Sequence, residues 1–305
     1  LLRFLVFQTL AVPFILLAGW TATLVDANPS DTVALIQALV LLGLGFSFWL
    51  GVFPFYTWIP MLVSETSALI SGFLLSFFPI TILMIAADFF NSFSWLRETT
   101  LIPIAFRLVG VIMVLTAGIL AAFQYDSRRM LGYAVIIENG FALLAISLNN
   151  SSGWVLFGAL FLPRMLAIYL WSLANDTIYK EGGFVRGALW RRPLAATGLV
   201  ISMLSVSGIP ILAGFPVRLA LLEQLSVDSF SLVPLVFIGN FGLIVGSLQV
   251  IFSLVAERID ASLQENWAEA LLLVLGSIAI LITGFFPHAL LGFLRGILSA
   301  FPQLL

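Results

Sequence analysis

Stretches of about twenty residues with no charge, or a single one, recur from one end of this sequence to the other. Wound as an α-helix, such a stretch is as long as the ~30 Å hydrocarbon core of a bilayer is thick. The 305 residues are 61% hydrophobic and 9% charged, and mean hydropathy is +1.15, far from the make-up of a soluble domain. No ten-residue alternation of apolar and polar positions marks a barrel strand. Lipid cannot satisfy an open backbone, so a bundle of helices is the spanning solution that remains. The expected fold class is an all-α, polytopic membrane helix bundle forming one transmembrane domain over residues 1–305.

Ten membrane segments are expected, near 3–25, 33–53, 67–89, 101–124, 130–149, 153–175, 194–209, 211–227, 231–256 and 267–288. Segment 211–227 is short and holds Pro216, Arg218 and Glu223, so whether it crosses by itself is open. Basic residues gather in "YDSRR" (Arg128, Arg129) and "YKEGGFVRGALWRR" (Lys180, Arg186, Arg191, Arg192), which should face the cytoplasm. If 211–227 crosses, the linker 257–266 with Arg258 falls outside, and the linker's low basic content favours that arrangement; the 94–100 stretch with Arg97 is expected outside as well. The polar connection 176–193 has room for a short surface helix. The chain starts without Met and runs straight into a span, so an N-terminally incomplete chain is expected.

The absence of cysteine removes iron–sulfur ligation, thiolate zinc, disulfides and thiol nucleophiles. The lone His288 cannot build a metal site and reads as a helix-end residue. A net charge of −2 without a basic tract gives nucleic acid nothing to bind. No nucleophile with a base and no phosphate-cradling loop supports a soluble-substrate enzyme. No cofactor is expected in this chain; cofactors held by soluble folds would belong to partners.

"GVFPFYTWIP", residues 51–60, places two prolines and four aromatics between apolar runs. Pro54 and Pro60 cannot donate backbone hydrogen bonds, so the chain must leave helical geometry here. Tyr56 and Trp58 suit the headgroup region as an aromatic belt. The span that follows is expected to be interrupted at Pro79 and carries Ser64, Ser67, Ser71 and Ser76. Later, "SVSGIPILAGFPVRLALLE" sets Gly208, Pro210, Gly214 and Pro216 around a second interruption. Two interrupted spans in separate halves are the pattern of an internal repeat built for transport, with freed backbone lining a watery path.

Four stretches carry a family resemblance. "FPFYTWIP" resembles Pro-Phe-His-x-Trp-Leu-Pro, and "SALISGFLLS" resembles Val-Ser-Ala-Leu-Leu-x-Gly-x-Leu-Leu-Lys. "FQYDSRRMLGYAVIIENGF" is similar to Gln-Thr-Asp-x-Lys-Arg-x-Leu-Ala-Tyr-Ser-Ser-Ile-x-x-x-Gly, and "SVSGIPILAGFPVRL" to Ser-Leu-Ala-Gly-Ile-Pro-x-x-x-Gly-Phe-x-x-Lys. Together, over about residues 53–219 and in family order, they resemble the antiporter-like, proton-translocating subunits of respiratory complex I, related to Mrp-type antiporter and membrane hydrogenase subunits. The resemblance implies an inverted-repeat fold with two broken helices: about 1–127 the rest of a first half-repeat, about 128–256 a second, and 257–305 a C-terminal helix and tail. It also implies several helices ahead of this region, one with a membrane-embedded glutamate that pairs with a lysine.

Charges embedded in lipid are functional candidates by default. Arg107, Glu138, Arg164 and Arg218 qualify, while Arg3 and Asp88 lie near span ends. The resemblance puts the family's central proton-carrying lysine at Ser76, a second axis position at Arg107, and the lysine or glutamate of the second broken helix at Arg218. Serine can relay a proton but store no charge, and arginine, with a pKa above ~12, is a poor alternating donor and acceptor. Glu138 is read as a proton site, a buried pair with an arginine, or an interface contact; an ion pair with Arg164 from the adjacent antiparallel helix is one version. Glu65 matches the acidic residue after the family's hinge, and Glu223 a solvated end or a contact with Arg218.

The implied function is a membrane-arm subunit of a complex I-like NADH:quinone oxidoreductase that contributes to or flanks redox-coupled proton translocation. The alternatives are a structural, non-pumping subunit and an Mrp-like cation/proton antiporter. The implied partners are other membrane-arm and peripheral subunits, which would hold flavin, iron–sulfur clusters and quinone, and the lipid bilayer, in a bacterial-type inner membrane.

Overall fold

The computed structural model describes residues 2–28, 31–93, 95, 96, 99, 101–180, 185–256, 266–288 and 292. Arg97, Arg258 and most of their linkers lie outside these residues. The helices are α1 (Leu2–Ala27), α2 (Thr32–Leu50), α3 (Trp58–Glu65), α4 (Ala68–Ser92), α5 (Leu101–Ala122), α6 (Ser127–Ile146), α7 (Ser151–Tyr179), α8 (Ala188–Arg191), α9 (Pro193–Val206), α10 (Gly214–Ser229), α11 (Val233–Val255) and α12 (Trp267–Phe285). Every expected membrane segment has its helix, and among the described residues eight stretches are long and apolar enough to cross a bilayer.

Burial grades from the centre outwards. Of the most apolar stretch of α6, 89% is buried, against 17% of α1 and 11% of α12. α6 packs on α5, α3 and α7, and α7 in turn carries α4, α9, α10 and α12. Helix caps follow the sequence: Asp31, Ser67, Asp126, Asn150 and Asn266 each accept from a free backbone N–H at a helix start.

Between helices in lipid the hydrophobic effect has nothing to gain, so association depends on close packing. α5 and α11 meet through glycines: a Cβ on Gly118 would stand 1.9 Å from the Gly239 carbonyl oxygen. The two backbones touch where any side chain would hold them apart.

Both basic loops lie on one face. Tyr179 Oη donates to Asp126 Oδ1 at 3.2 Å, and the Arg128 guanidinium lies 4.0 Å from the centre of the Tyr179 ring. The end of α11 is there too, with Trp190 Nε1 on the Val255 carbonyl at 3.3 Å, and so is the start of α12, through a Lys180–Glu269 ion pair of 2.8 Å. The linker between α11 and α12 therefore leaves from and returns to the basic face. This corrects the expectation that segment 211–227 crosses alone and sends that linker outside: α9 and α10 share one crossing, which starts at the basic face and ends at the other.

Two further expectations change. Pro79 does not interrupt its span, because α4 is one helix from Ala68 to Ser92. The first interruption is the hinge itself, between α2 and α3. Trp58 is not a headgroup anchor: it is 1% exposed and its indole N–H donates to the Phe48 carbonyl at 3.1 Å. The end of α2 needs a donor inside the bundle, and this indole supplies one.

Gly118→Val should lower the thermal midpoint or abolish monodisperse purification, since overpacking a tight contact costs at least ~1–3 kcal/mol. Gly158→Ala, with nothing within 4 Å of the added carbon, should leave the midpoint unchanged or slightly raised. Fluorescence-detected size-exclusion thermostability distinguishes the two.

Candidate functional site: two polar networks on the central helix

Glu138 and Asn139 are neighbours in the middle of α6, 5% and 0% exposed. Each starts a hydrogen-bonded network, and each network ends at backbone released by a proline or a helix break.

Asn139 Nδ2 donates to the Leu50 carbonyl at 3.0 Å, while Asn139 Oδ1 accepts from Arg164 Nη2 at 2.6 Å. The same Nη2 reaches the Leu75 carbonyl at 3.4 Å. Both carbonyls lie four residues before a proline: Leu50 before Pro54, and Leu75 before Pro79. A proline has no N–H to return to that position. Side chains of α6 and α7 take up what the prolines leave, and α4 continues through Pro79.

From Glu138 the second network runs to the break between α9 and α10. Arg218 Nη2 donates to Glu138 Oε1 at 2.5 Å, and Nη1 donates to Asn240 Oδ1 at 2.8 Å. Asn240 Nδ2 donates to the Ser207 carbonyl at 2.8 Å, and the Ser207 and Ser247 hydroxyls are 3.2 Å apart. The guanidinium carbon of Arg218 stands 4.4 Å from the centre of the Phe141 ring, a cation–π contact.

The break itself is written by glycine and proline. Gly208, at φ +70°, ends α9 with its N–H on Ser205, and Ile209 closes back on Leu204, the paired bonds of a Schellman cap. Pro210 then prevents continuation. A Cβ on Gly208 would come within 3.3 Å of Arg218 Nη1, and one on Gly214 within 2.2 Å of the Ser205 carbonyl oxygen. Pro216 falls in the first turn of α10, where a missing N–H costs nothing.

Between the networks lies a small cavity with about 10 Å3 of space for water centres, lined by Glu138, Arg164, Ser205, Gly214, Arg218 and buried apolar side chains. Glu138 is the one buried carboxylate among the described residues.

The expected site residues thus divide. Glu138, Arg164 and Arg218 come together, but the ion pair of Glu138 is with Arg218 and not Arg164, because Arg164 is held by Asn139 and Leu75. Arg218 is likewise not partnered by Glu223, which is exposed. Arg107 stands apart: it pairs with Asp228 at 3.2 Å and donates to Ser229 Oγ and the Ser147 carbonyl at the far ends of α6 and α10, about 15 Å along α10 from Arg218. Ser76 is buried beside Leu75, and its hydroxyl donates back to the Gly72 carbonyl at 2.7 Å. Glu65 is exposed at the end of α3, and Pro60 packs in the first turn of α3 against Gly132. Asn139, Asn240 and Ser205 were missed, because only formal charges were counted as costly in lipid. An amide in the middle of an apolar span was the available signal.

A helical bundle with a broken crossing and paired charges buried at its centre has the architecture of a transport-type membrane protein. Residues 14–246 match the family described as NADH:quinone oxidoreductase/Mrp antiporter, TM, and the chain belongs to it. NADH-quinone oxidoreductase subunit N of Buchnera aphidicola subsp. Acyrthosiphon pisum is 22% identical over 289 residues, 88% of this chain and 59% of that protein. Subunit N of Psychrobacter arcticus is 25% identical over 228 residues, 72% of this chain and 46% of that protein. The chain thus spans about half the length of these relatives. Among solved structures, the fold matches a chain of the Mrp complex from a Dietzia species with TM-score 0.79 at 15% identity, covering 95% of this chain and 65% of that one. It matches a chain of respiratory complex I from Thermus thermophilus with TM-score 0.77 at 21% identity, covering 95% and 67%.

Glu138→Leu should destabilise the protein by about 3–5 kcal/mol, because Arg218 is left buried without its carboxylate, and adding Arg218→Met should recover most of the loss. A double-mutant cycle in thermal denaturation reads this coupling; additive losses would deny the pair its importance.

Proposed function

We propose that this chain is a membrane-arm subunit of a complex I-like NADH:quinone oxidoreductase in a bacterial inner membrane, and that it takes part in redox-coupled proton translocation. Partner subunits would hold the flavin, iron–sulfur clusters and quinone. The observation that carries the reading is Glu138: a single buried carboxylate, held by Arg218 at the break between α9 and α10, in a fold shared with complex I and Mrp subunits. Glu138 is the group that can take and release a proton. Arg164 and Arg218 act as fixed cations that set the free energy of its charged form, and a charge moving in a neighbouring subunit would alter that balance.

A structural, non-pumping subunit is favoured by two specific observations. The Ser76 hydroxyl, at the position to which the resemblance assigns the family's lysine, donates to the Gly72 carbonyl, and the deep cations are arginines, which hold their protons. An Mrp-like antiporter has less support, since a dehydrated cation needs several oxygen ligands and Glu138 is already engaged by a guanidinium.

Two measurements separate these readings. Native-gel mass spectrometry of tagged protein extracted in mild detergent should recover flavin- and iron–sulfur-bearing subunits; recovery with antiporter subunits alone would overturn the redox assignment. In the assembled complex, Glu138→Gln should lower the proton-to-electron ratio severalfold while NADH oxidation continues. Unchanged pumping would leave Glu138 structural.

A further inference from the structure

The deep polar cluster does not balance its charge. Arg164 and Arg218 are 2% and 4% exposed, and Glu138 is the one buried carboxylate among the described residues. Glu138 Oε1 is taken by Arg218, whereas Arg164 is held only by neutral oxygens, those of Asn139 and Leu75. A guanidinium in that setting is a surplus positive charge in the middle of the bundle, which costs several kcal/mol unless a counter-charge reaches it.

The donors that such a counter-charge would use are already in place. Arg164 Nε and Nη1 are buried without a hydrogen-bond partner, and so is Ser205 Oγ. Ser205 is 0% exposed. Both residues line the cavity between the two networks, together with Arg218 and Glu138. Buried polar atoms are almost always satisfied, and a set of this kind points to a bound guest. The cavity holds about one water-sized particle. Its unpartnered arginine nitrogens can only donate, and the serine can donate as well. Room for one small particle, unpartnered donors on two lining residues and one uncompensated positive charge are features that a small monatomic anion would satisfy together.

We propose that the cavity between α6, α7, α9 and α10 is a halide-class anion site, in which Arg164 Nε and Nη1 and Ser205 Oγ bind one chloride. The Glu138 carboxylate also borders the cavity. Because Oε1 is turned to Arg218, it tolerates the anion only as long as that ion pair is closed. The bound halide would make the cluster neutral and would link the Arg164 network to the Glu138 network through one shared ion.

The test uses the purified full-length chain, or its native complex, in lipid nanodiscs with radiolabelled chloride. About one chloride per chain should be retained, displaced by excess unlabelled chloride but not by gluconate. Arg164→Gln and Ser205→Val should each lose that binding by at least tenfold, while Arg107→Gln, outside the cavity, retains it. Size exclusion and helical circular dichroism report that the variants fold, and if Arg164→Gln does not, Ser205→Val alone decides. Absence of saturable chloride in the wild type, the result expected for a water guest, would overturn the proposal. So would binding that survives Ser205→Val. The readout needs neither NADH nor pumping, so it stands or falls apart from the proposed role in a redox complex.

Discussion

A carbonyl released from its helix inside hydrocarbon has no water to turn to, and the central part of this protein is organised around carbonyls in that position. The Leu50 and Leu75 oxygens precede prolines by one helical turn, and the Ser207 oxygen sits at the end of α9. Asn139, Arg164 and Asn240 reach them across helix boundaries. These three side chains cannot be aligned unless α2, α4, α6, α7, α9 and α11 take up their present positions. The interrupted crossings and the polar core are therefore one construction: the breaks create acceptors, and the acceptors fix where donors must stand.

Much of this was legible in the sequence. The long apolar helices, the basic face and the second break follow from hydropathy, loop charge and the Gly-Ile-Pro…Gly-Phe-Pro spacing, all local signals. The first break was misplaced because Pro79 looks identical, as a letter, to a proline that interrupts. The Leu75 carbonyl that Pro79 leaves open is met by a guanidinium eighty-nine residues away in the chain, and α4 continues as one helix. The partner of Glu138 was missed for a related reason. Sequence adjacency of two antiparallel helices favoured Arg164, whereas Arg218 is carried to Glu138 by the turn after Gly208, which no helical periodicity reveals.

Arginine at the deep cationic positions limits what the site can do. A lysine can exchange its charge with its surroundings, but a guanidinium keeps it and offers a planar fork of donors. Here the forks bind oxygens on other helices. The two deep guanidiniums thus have a double character, as sources of field and as cross-links between helices.

Adjacency of Glu138 and Asn139 has a mechanical side as well. Successive residues of a helix point about 100° apart, so α6 holds α10 in one direction and α2, α4 and α7 in another. A small turn of α6 that loosens one set of contacts must drag on the other.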